Sequence, residues 1–134
     1  MAFEWPVRIY WEDTDAGGIV FYANYLKFFE RARSEWVRAT LGLGQGELKE
    51  KAGGLFVVAE VGVKYRRPAR LDDELLVSAA VQSVAGAAVN IAQEARLRAD
   101  GTLLCEGRFR LVWVDAATLR PARIPQHVSE KLGL

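Results

Sequence analysis

The chain has 134 residues, a usual length for one domain with its own core, and we take residues 1–134 as that single domain. Hydrophobic residues make up 51% and charged residues 26%, an ordinary globular balance. The formal net charge of +1 excludes a global field that would steer the chain to nucleic acid or anionic lipid, so any anion recognition must be local. Cys105 is the single cysteine and has no partner for an internal disulfide, which fits a reducing compartment. Residues 1–6 have neither a basic nor an apolar signal segment, and no apolar run nears the roughly 20 residues of a membrane span. The expectation is a cytoplasmic protein without a membrane span.

Residues 7–11 alternate like a short strand. The next segment, Glu12-Asp13-Thr14-Asp15-Ala16-Gly17-Gly18, is rich in turn formers and reads as a loop. A helix follows over about residues 22–40, with Asn24 as a cap near its start. Tyr25, Phe29, Ala32 and Trp36 recur at spacings of four, three and four and draw one apolar face. Arg31 and Glu35 are spaced to pair on the other side. Gly42, Gly44 and Gly46 end the helix, and residues 45–52 form a second, shorter one.

The remainder reads as β: strands over 55–65, 74–85, 88–99 and 103–114. Residues 66–73 contain Pro68 and make a connection. Gly86 marks one turn, and Asp100-Gly101 predicts a tight hairpin. The tail, with Pro121 and Pro125, holds one short helical turn. One strand, a long helix and four further strands with short connections imply an α+β domain. The arrangement expected is the hotdog fold, a five-stranded antiparallel sheet wrapped around one long central helix.

The chemistry points to the acidic loop. Asp15 lies just ahead of Gly17-Gly18 and the helix start. A helix start carries unpaired N–H groups at the positive end of the dipole, suited to a developing oxyanion. A nearby carboxylate can attack a carbonyl or activate water. Gly17 and Gly18 let a substrate approach the backbone. These are the parts of an acyl-transfer site. The same residues equally serve capping and turn formation, and pattern alone leaves both readings open.

Trp5-Pro6-Val7-Arg8-Ile9-Tyr10, the loop Glu12 to Gly18 with Ile19-Val20, Ala23-Asn24-Tyr25 and Phe29-Glu30-Arg31-Ala32-Arg33 resemble the YbgC-type acyl-CoA thioesterases. These belong to the 4-hydroxybenzoyl-CoA thioesterase branch of hotdog proteins. The likeness continues at Tyr65, at Pro68-Ala69-Arg70-Leu71-Asp72-Asp73, and at Val114-Asp115 with Pro121, so it spans nearly the whole chain. It implies hydrolysis of a thioester to free acid and CoA. Asp15 stands at the family's catalytic aspartate, as nucleophile or general base, and the Tyr22 backbone N–H at the group that polarises the carbonyl. It implies no metal and no cofactor, coenzyme A being part of the substrate. It also implies a homodimer assembling to a tetramer, with acyl carrier protein or Tol-Pal-linked proteins as partners. YbgC-type members usually carry histidine where this chain has Tyr22, and Ile19-Val20-Phe21-Tyr22 is closer to the 4-hydroxybenzoyl-CoA enzyme.

Other residues take quieter roles. Asp13 is expected to hold the loop by hydrogen bonds. Lys64, Arg66, Arg67 and Arg70 form a local basic cluster suited to the phosphates of CoA, or to a solvated sheet edge. Asn24 joins the substrate-binding candidates with Gly17, Gly18, Lys64, Arg66 and Arg67. His127 lies far from the loop in sequence and reads as a surface or packing residue, which leaves no Ser-His or Cys-His pair. With one His and one Cys the chain lacks a zinc ligand set. Cys105 reads as a small buried hydrophobe. Phe28, Phe29 and Trp36 fit either an acyl tunnel or plain core. A nucleic-acid role is disfavoured by near-neutral charge and the lack of a stacking motif. A non-catalytic module that holds an acyl carrier or protein partner in the same cleft is the competing function.

Overall fold

A computed structural model describes residues 2–134 of the chain. Strand β1 covers Phe3–Arg8 and a 3-10 turn covers Trp11–Asp13. Helix α1 covers Asn24–Leu41 and α2 covers Gln45–Ala52. Strands β2 (Gly54–Tyr65), β3 (Glu74–Ala85), β4 (Ala88–Leu97) and β5 (Leu103–Asp115) follow, and α3 (Gln126–Leu132) closes the order. The strands form one antiparallel sheet in the order β1-β3-β4-β5-β2. With α1 packed on it, this is the α+β hotdog arrangement that the sequence implied. No described helix is long and apolar enough to cross a membrane.

The first strand lies earlier than residues 7–11. It includes Pro6, which cannot donate to a ladder, and β1 accommodates it because it sits at the sheet edge and pairs only with β3. Beyond Arg8 the chain is held by two backbone bonds, Ile9 N–H to Asp73 O and Asp72 N–H to Ile9 O, before it turns away from the sheet.

Helix α1 buries Tyr25, Phe28, Phe29, Ala32, Arg33 and Val37, while Trp36 is half-buried. The buried stripe is therefore wider than the one drawn through Tyr25, Phe29, Ala32 and Trp36, and it includes a charge. The Arg33 guanidinium donates to Gln93 Oε1 at 2.9 Å and lies 4.4 Å from the centre of the Phe109 ring. Gln93 Nε2 in turn donates to Phe29 O and Ser78 O, both at 3.0 Å. Burial holds the Arg33 pKa below its usual value, with Glu30 opposing that shift. On the outer face Glu35 pairs with Arg38 at 3.5 Å, in place of the expected Arg31 partner.

The inner face of the sheet alternates as strands should: Leu75, Val77 and Ala79 on β3, Ile91, Gln93 and Ala95 on β4, Phe109, Leu111 and Trp113 on β5. The β4–β5 connection is not a two-residue hairpin at Asp100-Gly101. Leu97 N–H reaches Thr102 O across a four-residue loop, and Gly101 N–H folds back to Leu97 O. The tail helix α3 is longer than a single turn and buries Val128 and Leu132.

Gly107 on β5 faces the ring of Phe29 on α1 with no room for a side chain. A Cβ there would lie 2.6 Å from the Phe109 ring and 3.1 Å from that of Phe29. Gly107→Ala should therefore lower stability by about 1–3 kcal/mol through overpacking. The expected result in urea is a lower midpoint at an unchanged slope.

Candidate active site

The loop before α1 is a miniature hairpin. Thr14 bridges Val20, Asp15 N–H donates to Ile19 O at 2.9 Å, and Gly18 N–H donates to Asp15 O at 3.0 Å. Gly18 takes φ +78°, the left-handed conformation that a side chain would strain. The Asp15 carboxylate accepts the Gly17 N–H through Oδ1 at 2.8 Å. Its Oδ2 has no hydrogen-bond partner among the described residues, and residues 15–18 are exposed.

Two residues earlier the same residue type does the opposite work. Asp13 is buried, and its Oδ2 accepts the Tyr10 N–H at 2.9 Å. Its carbonyl accepts both the Phe21 N–H and the Asn24 side-chain N–H, each at 2.9 Å. Asp13 thus holds the loop as expected. Asn24 is not the helix cap. The cap position is Ala23, which makes no side-chain cap bond, and the Asn24 amide ties α1 to the loop instead.

Tyr22 lies two residues ahead of α1, in a turn, rather than inside a helix that begins at residue 22. Neither the Tyr22 nor the Ala23 amide donates to an acceptor among the described residues. Val20 N–H is fixed on Ala69 O, Phe21 N–H on Asp13 O, and Asn24 N–H on Phe21 O. Two adjacent unpaired N–H groups therefore sit in an otherwise pinned segment, a disposition that suits a developing negative charge.

The turn borders an open groove of about 300 Å³ lined by Ile19, Val20, Tyr22, Tyr65, Arg66 and Arg67, among others. Arg67 has no side-chain hydrogen bond or ion pair among the described residues, and neither does Lys64. Arg66 is paired with Glu106 at 2.7 Å, and that hydrogen bond holds the Glu106 carboxyl below the usual carboxylate range. Asp15, Gly17, Gly18, Asn24 and Lys64 do not line the groove. Asp15 adjoins it through its backbone bond to Ile19. Lys64 stands opposite Glu106 in the β2–β5 register, one residue before Tyr65. Arg70 flanks the loop through its bridge to Ile19.

A second cleft of about 360 Å³ lies between the later part of α1 and the sheet, with Trp36, Val37, Phe56 and Arg33 in its wall. Phe28 and Phe29 do not line it and are wholly buried core. His127 is exposed on α3, away from both.

Residues 9–132 match the model of the thioesterase-like superfamily. The chain belongs to that superfamily. It is 40% identical over 126 residues to the acyl-CoA thioester hydrolase YbgC of Escherichia coli O6:H1, covering 94% of this chain and 92% of that one. It is 41% identical to the acyl-CoA thioesterase YbgC of Haemophilus influenzae, covering 94% and 90%. The fold matches the 1,4-dihydroxy-2-naphthoyl-CoA thioesterase of Synechocystis with a TM-score of 0.89 at 18% identity, over 99% and 96% of the two chains. The YbgC likeness read from the motifs is thus sustained over 94% of the chain, and the protein is a thioester hydrolase by family.

Sequence reasoning did not find what surrounds Tyr22. The Tyr65 hydroxyl donates to Tyr22 O at 2.9 Å, and the Tyr65 ring meets Tyr22 and Tyr25 edge-on at 6.1 and 5.7 Å. The Tyr25 hydroxyl accepts the Ala69 N–H at 3.3 Å. The available signal was the exposed aromatic at the end of β2, beside the basic cluster.

Cys105 pairs with Tyr65 in the register and is fully buried in the thioesterase core. Burial pushes its thiol from 9.0 up to about 12 and the Tyr25 phenol from 10.0 up to about 12. Both groups fold in their neutral forms. Their contribution to stability is complete below about pH 9 and is lost as pH rises toward 12. A melting midpoint that falls steadily above pH 9 is the expected outcome. In the same vein, a disulfide reagent at pH 8 should leave the folded protein unlabelled and should report the single thiol in guanidinium.

Proposed function

We propose that this thioesterase hydrolyses acyl-CoA thioesters to a free acid and CoA, with Asp15 as the working carboxylate. The observation that carries the reading is the unpaired Tyr22 amide beside the loop that presents Asp15. A thioester carbonyl oxygen placed on the Tyr22 N–H meets a fixed donor at the point where charge develops. The Asp15 oxygen that makes no bond within the loop then acts in one of two ways. As nucleophile it adds to the carbonyl carbon, CoA leaves as thiolate and takes up a proton, and water opens the resulting anhydride. As base it takes a proton from water, which adds directly. Both routes consume one water and release one carboxylic acid and one CoA thiol.

In this reading Gly17 and Gly18 keep side chains away from the approach to Asp15. Asn24 serves through its hold on Asp13, which keeps the loop against the helix start. Arg67 and Lys64 meet the CoA phosphates, and Arg66, paired with Glu106, lines the groove beside them. We place the active form as a dimer that pairs into a tetramer. Val58 and Val61 are 46% and 44% exposed on β2, an edge strand, and such an edge calls for cover.

The test is a panel of short, long and aromatic acyl-CoA thioesters with thiol release followed by colour. Asp15→Asn should cut turnover on the order of a thousandfold or more while the melting midpoint holds. Near-normal hydrolysis by that variant would sink the assignment. No turnover by the unaltered protein on any thioester would favour the acyl-carrier-binding module instead. A paired assay sorts the basic residues. Arg67→Ala should raise KM for an acyl-CoA several-fold and leave KM for the phosphate-free pantetheine thioester unchanged.

A further inference from the structure

The segment that carries the unpaired amides has one anchor supplied from far away in the chain. Phe21 is tied at both backbone groups, its N–H to Asp13 O and its C=O to Asn24 N–H. Val20 N–H is tied to Ala69 O. Tyr22 has no backbone bond of this kind at its N–H. What holds the residue is its carbonyl, which accepts the Tyr65 hydroxyl at 2.9 Å across 43 residues of sequence. Tyr65 is itself set by the end of β2, in register with buried Cys105, and by edge-on contact with Tyr25. Tyr25 is buried and braces Ala69, the residue that receives Val20 N–H. The Tyr65 hydroxyl thus joins the sheet to the turn at the Tyr22–Ala23 peptide, whose C=O and N–H make no backbone bond among the described residues.

We infer that Tyr65 is a positioning residue for the thioesterase reaction, which clamps the Tyr22 carbonyl so that the unpaired Ala23 N–H of the same peptide is held beside the Tyr22 N–H, toward the substrate carbonyl. The inference rests on the proposed role of the Tyr22 amide. The hydroxyl acts on the Tyr22–Ala23 peptide unit. It fixes the rotation of that unit and so the direction of the unpaired Ala23 N–H, while the Tyr22 N–H, coplanar with the Phe21 carbonyl, is set by the bond from Asn24 N–H. It also draws charge from the Tyr22–Ala23 peptide, which makes the adjacent Ala23 N–H a stronger donor. Burial raises the Tyr65 pKa, with Cys105 and Tyr22 adding to the shift, so the hydroxyl keeps its proton at neutral pH and remains a donor. Such preorganisation matters in the transition state more than in the bound ground state. Loss of the clamp therefore shows in kcat rather than in KM.

The experiment is steady-state kinetics of Tyr65→Phe on the best acyl-CoA of the panel, run beside Asp15→Asn and the unaltered protein. Tyr65→Phe keeps the ring and its contacts and removes only the clamp. We expect kcat to fall by about tenfold to a hundredfold, KM to change less than about twofold, and the melting midpoint to stay near that of the parent. A kcat equal to the parent's, with Asp15→Asn inactive, would overturn the role of Tyr65 and leave the active site standing. A loss of kcat that tracks a large fall in melting midpoint would also overturn it, since the hydroxyl would then be a structural tie. Full activity in Asp15→Asn would remove the reading on which the inference rests. Tyr65→Trp, which fills the space without an oxygen to reach Tyr22, should match the phenylalanine variant. Recovery of kcat in that variant would again count against the clamp.

Discussion

The seating of α1 on the sheet is the constraint from which the rest of the molecule follows. Phe28, Phe29 and Ala32 have no exposed surface, and burial of each phenylalanine favours the folded state by about 1.5–3 kcal/mol. Apolar contact alone would let the helix slide or rotate. Arg33 removes that freedom. Once its guanidinium is buried it needs an acceptor, and Gln93 on β4 is placed to supply one. Gln93 can do so only while its own amide reaches Phe29 O and Ser78 O. A shift of the helix would break this chain of bonds and leave a buried charge unpaired, an expensive state. The helix is therefore fixed along its axis and about it, and its first residues arrive at a set place beside the β2–β3 connection.

That placement explains why the acidic loop divides its labour as it does. Asp13 and Asp15 are two residues apart, with Thr14 in an extended bridge between them. Asp13 turns into the protein and spends its acceptors on Tyr10, Phe21 and Asn24. Asp15 sits on a tight turn, its carboxylate bonded only to Gly17 through Oδ1 and its other oxygen available. One carboxylate holds the scaffold and the other is presented by it. The unpaired amides of Tyr22 and Ala23 arise for the same reason. They belong to the turn that enters a helix, where i−4 acceptors do not yet exist, and no capping side chain covers them.

Much of this was legible in the sequence, and the failures share a cause. The alternation of β3 and the glycine-bounded α2 set their limits at 74–85 and 45–52. The loop motif marked the Asp15 region, and the role of Asp13 followed from its turn chemistry. Periodicity failed where a residue's partner is remote. Arg33 draws no packing role from the sequence because nothing near it shows that Gln93, 60 residues on, will receive it. Tyr65 enters only through the family likeness, because Tyr22, its partner, is 43 residues away. Asn24 has the composition of a cap, yet the Asp13 carbonyl is the better acceptor once the loop folds over it. Pro6 hid β1, since a proline argues against a strand unless the strand is known to be an edge. In each case the deciding interaction is tertiary and has no local signature.

The charge pattern follows the same logic of local pairing. A chain of net charge +1 attracts a polyanion only if some of its cations are left without partners where the anion must lie. Arg8 pairs with Glu74, Arg96 with Glu94 and Arg66 with Glu106. Exposed pairs of this kind add little to stability. Their effect is on the field, which they cancel locally. Arg67, beside the groove, and Lys64, nearby on β2, lack such a partner among the described residues. The attraction they exert reaches about a Debye length, whereas the unpaired Tyr22 amide acts only at hydrogen-bond distance. A ligand with charge at one end and a neutral thioester at the other is thus drawn by the first feature and oriented by the second. The Tyr65 clamp joins the two, since it ends the strand that bears Lys64 and bonds to the turn that bears the amide.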